Sequence, residues 1–237
     1  MNKWVDELLT LIIEPSPSEE RISICLAEAV HTLGFRYYHF VYRKVLPLSQ
    51  ERVRWLSNYP LAWRKRYAQK NYFCIDPRIK LARSTEELIV WNDQLFVDTP
   101  QLWRECREHG LRHGVTQSVL NGAGGLGMLS LARRHPPISR AELKSNRQNI
   151  RTLTQLTLRI LSRIYHNEAT ASLPPLSDRE AEILRWSADG KSARDIAEIL
   201  DISKNTVDFH IKNSVQKLQV PNKTAAVARA VLLGLLR

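Results

Sequence analysis

The stretch from Leu176 to Leu236 constrains this chain more than any other. Ser177 followed three residues on by Glu180 is a capping box, so a helix is predicted to start there. Ile183 and Leu184 keep one apolar face up to Gly190, a residue suited to ending a helix. Ser192 can cap a second helix, with Ile196, Ala197, Ile199 and Leu200 inward. Asp201-Ile202-Ser203 supplies a turn. A third helix is predicted from about Asn205, with Val207, Ile211, Val215 and Leu218 at helical spacing. Pro221-Asn222 breaks it, and Thr224 to Leu235 forms a fourth.

A short helix, a tight turn and a longer helix with polar outer positions is the helix-turn-helix pattern, whose second helix enters the DNA major groove. Its outer positions here are Lys204, Asn205, Thr206, Asp208, His210, Lys212 and Asn213. Periodicity alone also admits a four-helix packing unit with a solvated face.

The residues go further than the periodicity. Leu176-Ser177-x-Arg179-Glu180, Glu182-Ile183-Leu184-x-Trp186, Gly190-Lys191-Ser192, Ile196-Ala197-x-Ile199-Leu200, Thr206-Val207-x-x-His210 and Lys217-Leu218 form a dense set. The segment resembles the C-terminal domain of LuxR-type transcription regulators. The resemblance implies double-stranded DNA as a partner, and makes Glu180, Leu184 and Gly190 structural positions. Lys204, Asn205, Thr206, His210, Lys212 and Asn213 are the expected DNA-contacting set.

The chain has 237 residues and a formal net charge of +11. That basic excess does not identify the DNA-binding part. From Ser172 onward, 10 lysines and arginines stand against 8 acidic residues; residues 1–171 hold 25 against 16. No apolar run approaches the ~18 residues that span a bilayer. The start, MNKWVDELLTLIIEPSPSEE, lacks the basic region and cleavage site of a signal peptide. A cytoplasmic location with no membrane partner is expected. Cys25, Cys74 and Cys106 are odd in number and far apart, which suits buried free thiols and not a metal site.

In chain order, helices are predicted over 3–12 and from Ser18 to Gly34, and strands over Phe35–Arg43 and Val53–Asn58. Pro60 opens a helix, and Asp76-Pro77 opens a short one. Leu88–Trp91 reads as a strand and Leu102–His109 as a helix. Gly114–Leu120 and Leu126–Arg133 read as strands joined by the turn Gly122-Ala123-Gly124-Gly125. Ser139 caps a long helix through Ile164. The expected fold class is α+β: an N-terminal α/β/α sandwich around a five-stranded antiparallel sheet over 1–166, a linker over 167–175, and an all-α helix-turn-helix domain over 176–237.

Between the second and third strands lie Tyr59, Trp63, Tyr67 and Asp76, with Trp91 closing the next strand. Trp63 and Tyr67 share a helix face. The indole N–H donates, the phenol can donate, and a carboxylate only accepts. Such a set suits a small ligand carrying carbonyls and an amide N–H. On the residues alone, an aromatic core with a helix-capping Asp before Pro77 is the more ordinary reading. Nothing basic adjoins Asp76 on either side, since Ile75 precedes it and Pro77 follows. Its burial is therefore expected to depend on hydrogen bonds, one of them from a ligand, and the free chain is expected to be marginally stable.

Asn58-Tyr59-Pro60-x-x-Trp63-x-x-x-Tyr67, Ile75-Asp76-Pro77, Val90-Trp91, His113-Gly114-Val115 and Leu129-Ser130-Leu131-Ala132-Arg133 resemble the autoinducer-binding domain of the same LuxR-type family. The resemblance implies an N-acyl-homoserine lactone as ligand and no further cofactor. It implies that Trp63 donates to the lactone carbonyl, Asp76 accepts from the amide N–H, and Tyr59 with Ser130 serves the acyl carbonyl. Tyr67 and Trp91 become walls, Trp91 toward the lactone ring, and Gly114 lets the backbone approach. Leu102 takes a lactone-pocket position that is aromatic in some members. His39 lies where several members have a small residue and the acyl chain passes. Arg64 could hold a water near a 3-oxo group or lie in solvent.

Region 1–171 shows no receiver-type strand–helix alternation, which weighs against a response regulator. No nucleophile elbow, metal spacing or catalytic carboxylate pair is present, so no enzyme is expected. A regulator whose pocket is a filled core stays open. The expectation is a ligand-responsive, quorum-sensing transcription regulator that binds a palindromic promoter site as a homodimer, with seams on helix 139–166 and near Val227, Val231 and Leu235.

Overall fold

The computed structural model describes residues 3–43, 53–120 and 125–236, apart from the side chains at 168 and 169. By contact density it divides into two units, Met1–Ile164 and Tyr165–Arg237.

The first unit is built on a five-stranded antiparallel sheet in the order β2-β1-β5-β4-β3. Its strands are β1 (Tyr37–Arg43), β2 (Val53–Ser57), β3 (Ile89–Val90), β4 (His113–Leu120) and β5 (Leu126–Arg133). The Gly122-Ala123-Gly124 part of the expected turn lies outside the described residues. Helices α1 (Lys3–Ile13), α2 (Glu19–Thr32) and α6 (Arg140–Thr170) accompany α3 (Leu61–Gln69), α4 (Pro77–Ala82) and α5 (Pro100–Glu108).

Directly opposed residues of an antiparallel pair share a face. One row therefore runs Ser57–His39–Ser130–Thr116 across β2, β1, β5 and β4. One step along the strands, Val41 and Met128 face the same way. This face carries α3, α4 and α5, since Ala132 packs with Trp63 and Cys106, and Val41 and Met128 pack with Ala82. The other face bears Phe40, Leu129, Leu131 and Val115, all fully buried. There Gly127 lets Leu158 of α6 approach: a Cβ on Gly127 would lie 3.1 Å from that side chain.

Local chemistry explains most ends. Ser18 accepts the Arg21 N–H and starts α2, and Gly34 closes it at φ +81°. Four differences from the expectation stand out. A 3-10 turn at Tyr72–Cys74 follows Asn71, which sits at φ +48°. Helix α5 begins at Pro100, where proline at the first turn needs no N–H partner. Helix α6 continues to Thr170, so the first four residues of the expected linker are helical. Cys74 is exposed, Cys25 is half-buried and only Cys106 is buried, which corrects the expectation of three buried thiols.

The second unit holds α7 (Asp178–Ala188), α8 (Ala193–Ile199), α9 (Lys204–Lys217) and α10 (Lys223–Leu232). Both halves of the Ser177–Glu180 capping box form, and Ser192 makes a second box with Asp195. Gly190 sits at φ +85°, and the Lys191 N–H reaches back to the Trp186 carbonyl, so α7 ends as a Schellman turn. Ile183, Ile196 and Val207 form one core beneath α7, α8 and α9; Leu184, Leu218, Ala226 and Ala230 form another with α10. Among the described residues, no helix is long and apolar enough to cross a membrane.

Candidate ligand pocket and nucleic-acid interface

Tyr59, Trp63, Trp91 and Leu102 converge in one buried cluster, with Tyr67 packed against it. Trp63 meets Tyr67 edge-on at 5.6 Å, as their i,i+4 spacing on α3 anticipates. The Trp91 indole N–H donates to Thr116 Oγ1 at 2.9 Å, and Thr116 Oγ1 lies 2.9 Å from Ser130 Oγ. Gly114 is required by this geometry. A Cβ there would come within 2.5 Å of the Trp91 ring and 2.7 Å of the Leu131 carbonyl.

Asp76 caps α4, accepting the Arg78 backbone N–H at 3.0 Å. The Tyr67 hydroxyl donates to its Oδ2 at 2.8 Å. Its main partner lies two residues further on. The Arg78 guanidinium pairs with both carboxylate oxygens, from Nε at 2.8 Å and from a terminal nitrogen at 2.5 Å. The same guanidinium lies 4.4 Å from the Trp91 ring centre and 5.3 Å from that of Phe96. The expectation that nothing basic adjoins Asp76 is therefore corrected. Pro77 takes the first helical position, which puts Arg78 at the second, where its backbone N–H and its guanidinium both meet the Asp76 cap. Burial pulls the guanidinium pKa down, but the Asp76 charge outweighs it, and Arg78 is held well above its ordinary value. Asp76 is thus compensated by the chain itself.

Two polar atoms near this pair have no partner among the described residues: the Tyr59 hydroxyl and His39 Nδ1. Their rings stack at 5.3 Å, inclined by 27°. Burial pushes the Tyr59 phenol far above its usual range and, reinforced by Arg78, pulls the His39 imidazole down to about 4. His39 is therefore neutral at physiological pH. Arg64 is exposed, in keeping with the solvated alternative.

Beside Leu102, Trp103 stacks on Phe96 at 4.6 Å and donates to Asp93 at 2.6 Å. Arg78, Thr116, Phe96 and Trp103 are thus neighbours of the site that the sequence reading did not single out. For Arg78 the signal was present, as the second residue of a proline-started helix. For the others it lay only in strand register and packing. Among the described residues, no group of three or more metal-ligating side chains is placed to hold an ion.

On α9, Lys204, Asn205 and Lys212 are exposed, while Thr206, His210 and Asn213 are half-buried. Lys204 Nζ is tied to Asp208 at 2.6 Å, and Thr206 Oγ1 lies 2.8 Å from Ser203 Oγ. Phe209, 59% exposed, sits on the same helix beside His210 and was not anticipated. Glu180 is buried and accepts from Lys217 at 2.7 Å across α7 and α9.

An α/β/α layer enclosing an aromatic–carboxylate site, in a chain that also carries a helix-turn-helix unit, defines a ligand-sensing regulator class. Comparison with known proteins agrees. Residues 18–160 match the autoinducer binding domain, and residues 174–230 match the bacterial regulatory proteins of the LuxR family. The chain is 37% identical to the HTH-type quorum-sensing regulator RhlR of Pseudomonas aeruginosa, over 98% of this chain and 96% of that one. It is 39% identical to the regulatory protein SdiA of Escherichia coli, over 86% of this chain and 85% of that one. A crystal structure of Escherichia coli SdiA superposes with a TM-score of 0.80 at 35% identity, covering 99% of this chain and 98% of that chain. SdiA in complex with octanoyl-rac-glycerol superposes at 0.79 with 34% identity, covering 100% and 98%. The chain belongs to the LuxR family of quorum-sensing transcription regulators, with an autoinducer-binding domain followed by a helix-turn-helix DNA-binding domain.

Proposed function

We propose that this chain senses an N-acyl-homoserine lactone in the cytoplasm and, as a homodimer, binds a palindromic promoter site. The observation that carries the ligand reading is the convergence of Tyr59, Trp63, Tyr67, Asp76, Trp91 and Ser130 on one side of the sheet. An indole donor, a phenol donor and a carboxylate acceptor match the ring carbonyl, acyl carbonyl and amide N–H of that ligand in kind. Trp63 donates to the ring carbonyl, Asp76 accepts the amide N–H, and Tyr59 with Ser130 takes the acyl carbonyl. Tyr67, Trp91 and Leu102 are walls.

Asp76 is already held by Arg78 and Tyr67. The ligand amide therefore binds by taking the place of an Arg78 N–H, and the lactone ring reaches Trp91 only as the guanidinium draws aside. The acyl tail continues over Val41, Ile79, Ala82 and Met128.

For DNA, Lys212 and Asn213 address bases or phosphates, with Lys204, Asn205, Thr206 and His210 near the backbone. A two-fold dimer suits half-sites about one helical turn apart. Val231, 52% exposed on α10, supports the C-terminal seam; Val227 and Leu235 are half-buried against the core of their own unit. The test is expression with mixed acyl-homoserine lactones, followed by mass spectrometry of the extracted ligand and thermal melts of loaded and stripped protein. Saturating ligand is expected to stabilise by several kcal/mol through mass action, about 2.7 kcal/mol at a hundred-fold excess over Kd. No retained lactone together with equal melting temperatures would sink the lactone assignment.

A further inference from the structure

The outward side of α9 is polar at every level but one. Asn205, Lys212 and Gln216 are exposed, and Phe209, 59% exposed, lies among them. At about 3.6 residues per turn these four positions fall on one stripe along the helix. Val207, Ser214 and, at the C-terminal cap, Leu218 are fully buried and occupy the opposite side. Val207 enters one core of the unit and Leu218 the other. Phe209 joins neither; its ring meets only the edge of the neighbouring His210 ring, at 5.6 Å.

A single exposed apolar residue on a protein surface needs no special explanation. The place of this one does. It stands at the middle of the outermost stripe of the helix that, in a helix-turn-helix, enters the major groove. The base edges in that groove present hydrogen-bond donors and acceptors, and one apolar group only, the C5-methyl of thymine. A phenyl ring has no polar group with which to answer a donor or an acceptor. Against a methyl group it gains by removing apolar surface from water on both sides. Lys212, one turn further along the stripe, carries the polar contact beside it.

We infer that Phe209 is a base-reading residue of α9 that packs on the C5-methyl of a thymine, so that the recognised site carries thymine at that position. This rests on α9 lying in the major groove, as the proposed function has it.

The experiment selects sites from a random duplex pool, using the full chain expressed with mixed acyl-homoserine lactones. Each thymine of the preferred site is then replaced in turn by deoxyuridine, which pairs with adenine in the same way and lacks only the methyl group. Affinities of the wild type and of Phe209→Ala are measured on every duplex. At one thymine, or at a symmetric pair, loss of the methyl should weaken the wild type about four-fold, the worth of burying one methyl-sized group. Phe209→Ala should bind the thymine and uracil forms of that duplex alike. Phe209→Gln also removes the ring while keeping a good helix former, and repeats the comparison should the alanine variant not fold. A wild type indifferent to every replacement overturns the inference and leaves the DNA reading standing. So does a folded variant that is weakened on all duplexes but keeps the thymine preference, because the ring would then be packing on the sugar–phosphate backbone. Selection of no preferred site overturns the reading of sequence-specific DNA binding itself, and this inference with it.

Discussion

Asp76 and Arg78, two residues apart across Pro77, form an ion pair whose side chains are only 2% and 5% exposed. The pair lies against Trp91 and Phe96, within the candidate ligand site. Removing one member of a buried pair leaves an uncompensated charge, which costs about 3–5 kcal/mol. Arg78→Met and Asp76→Asn are each expected to lower the melting temperature of the ligand-free chain markedly. The double variant should lose less than the sum of the two, because neither charge is then stranded. Denaturation of the four proteins without ligand measures the coupling; strict additivity would show that the two side chains stabilise the fold independently. A lactone amide can supply part of what Arg78 supplies, so ligand should rescue Arg78→Met more strongly than wild type.

Much of this architecture was open to sequence reasoning because its signals are local. Ser18, Ser177 and Gly190 act on backbone groups within three or four residues, and the helices they start or stop lie where expected. The aromatic set was found because Trp63 and Tyr67 fall on one turn-spaced face. Arg78 does not show among the immediate neighbours of Asp76, because an N-cap faces the second and third residues of its helix. The Trp91–Thr116–Ser130 chain and the His39–Tyr59 stack depend on which strands pair and in what register. No local spacing encodes that. The 3-10 turn at Tyr72–Cys74 depends on Asn71 taking a left-handed conformation, which residue type alone does not dictate.

Gly114 has no room for a side chain. Its Cβ would meet the Trp91 ring at 2.5 Å and the Leu131 carbonyl at 2.7 Å, and the carbonyl belongs to a paired strand that cannot swing away. Gly114→Ala should cost about 1–3 kcal/mol through overpacking and push Trp91 off its seat. The check is a melt, together with the near-ultraviolet circular dichroism of the tryptophans. An alanine variant with both unchanged would mean that the strand accommodates the methyl group freely.

Glu105 on α5 pairs with Arg66 of α3 at 2.7 Å and accepts from Gln101. The Arg66 guanidinium holds its carboxyl at about 2, below its ordinary 4.5. A depressed folded pKa contributes stability that is present above the unfolded pKa and lost as pH falls through the folded one. The pair should therefore stabilise the α3–α5 packing above about pH 4.5 and stop doing so on descent toward pH 2. Glu105→Gln should lie below wild type at neutral pH and converge with it in acid. Parallel stability profiles across that window would remove the ion pair from the account.

Lys212 is exposed on α9, one turn beyond Asp208, and no salt bridge ties it down among the described residues. Lys204, by contrast, is held by Asp208 on the same helix, so its charge is already partly met within the helix. Of these two lysines, Lys212 is the one that the proposed DNA contact would use with its full charge. If it donates to a guanine edge, Lys212→Ala should weaken binding to the cognate site by about 1–3 kcal/mol and relax the preference at that base pair. If it meets only phosphate, affinity should fall alike on cognate and random duplex, and the salt dependence should lose about one counterion. Titrations of both duplexes at two or more salt concentrations separate these outcomes. Lys204→Ala should lose less in either case, because it releases a cation already paired to Asp208. An unchanged affinity of Lys212→Ala for both duplexes would take this side chain out of the interface and turn attention to Asn205 and Phe209, exposed on the same helix.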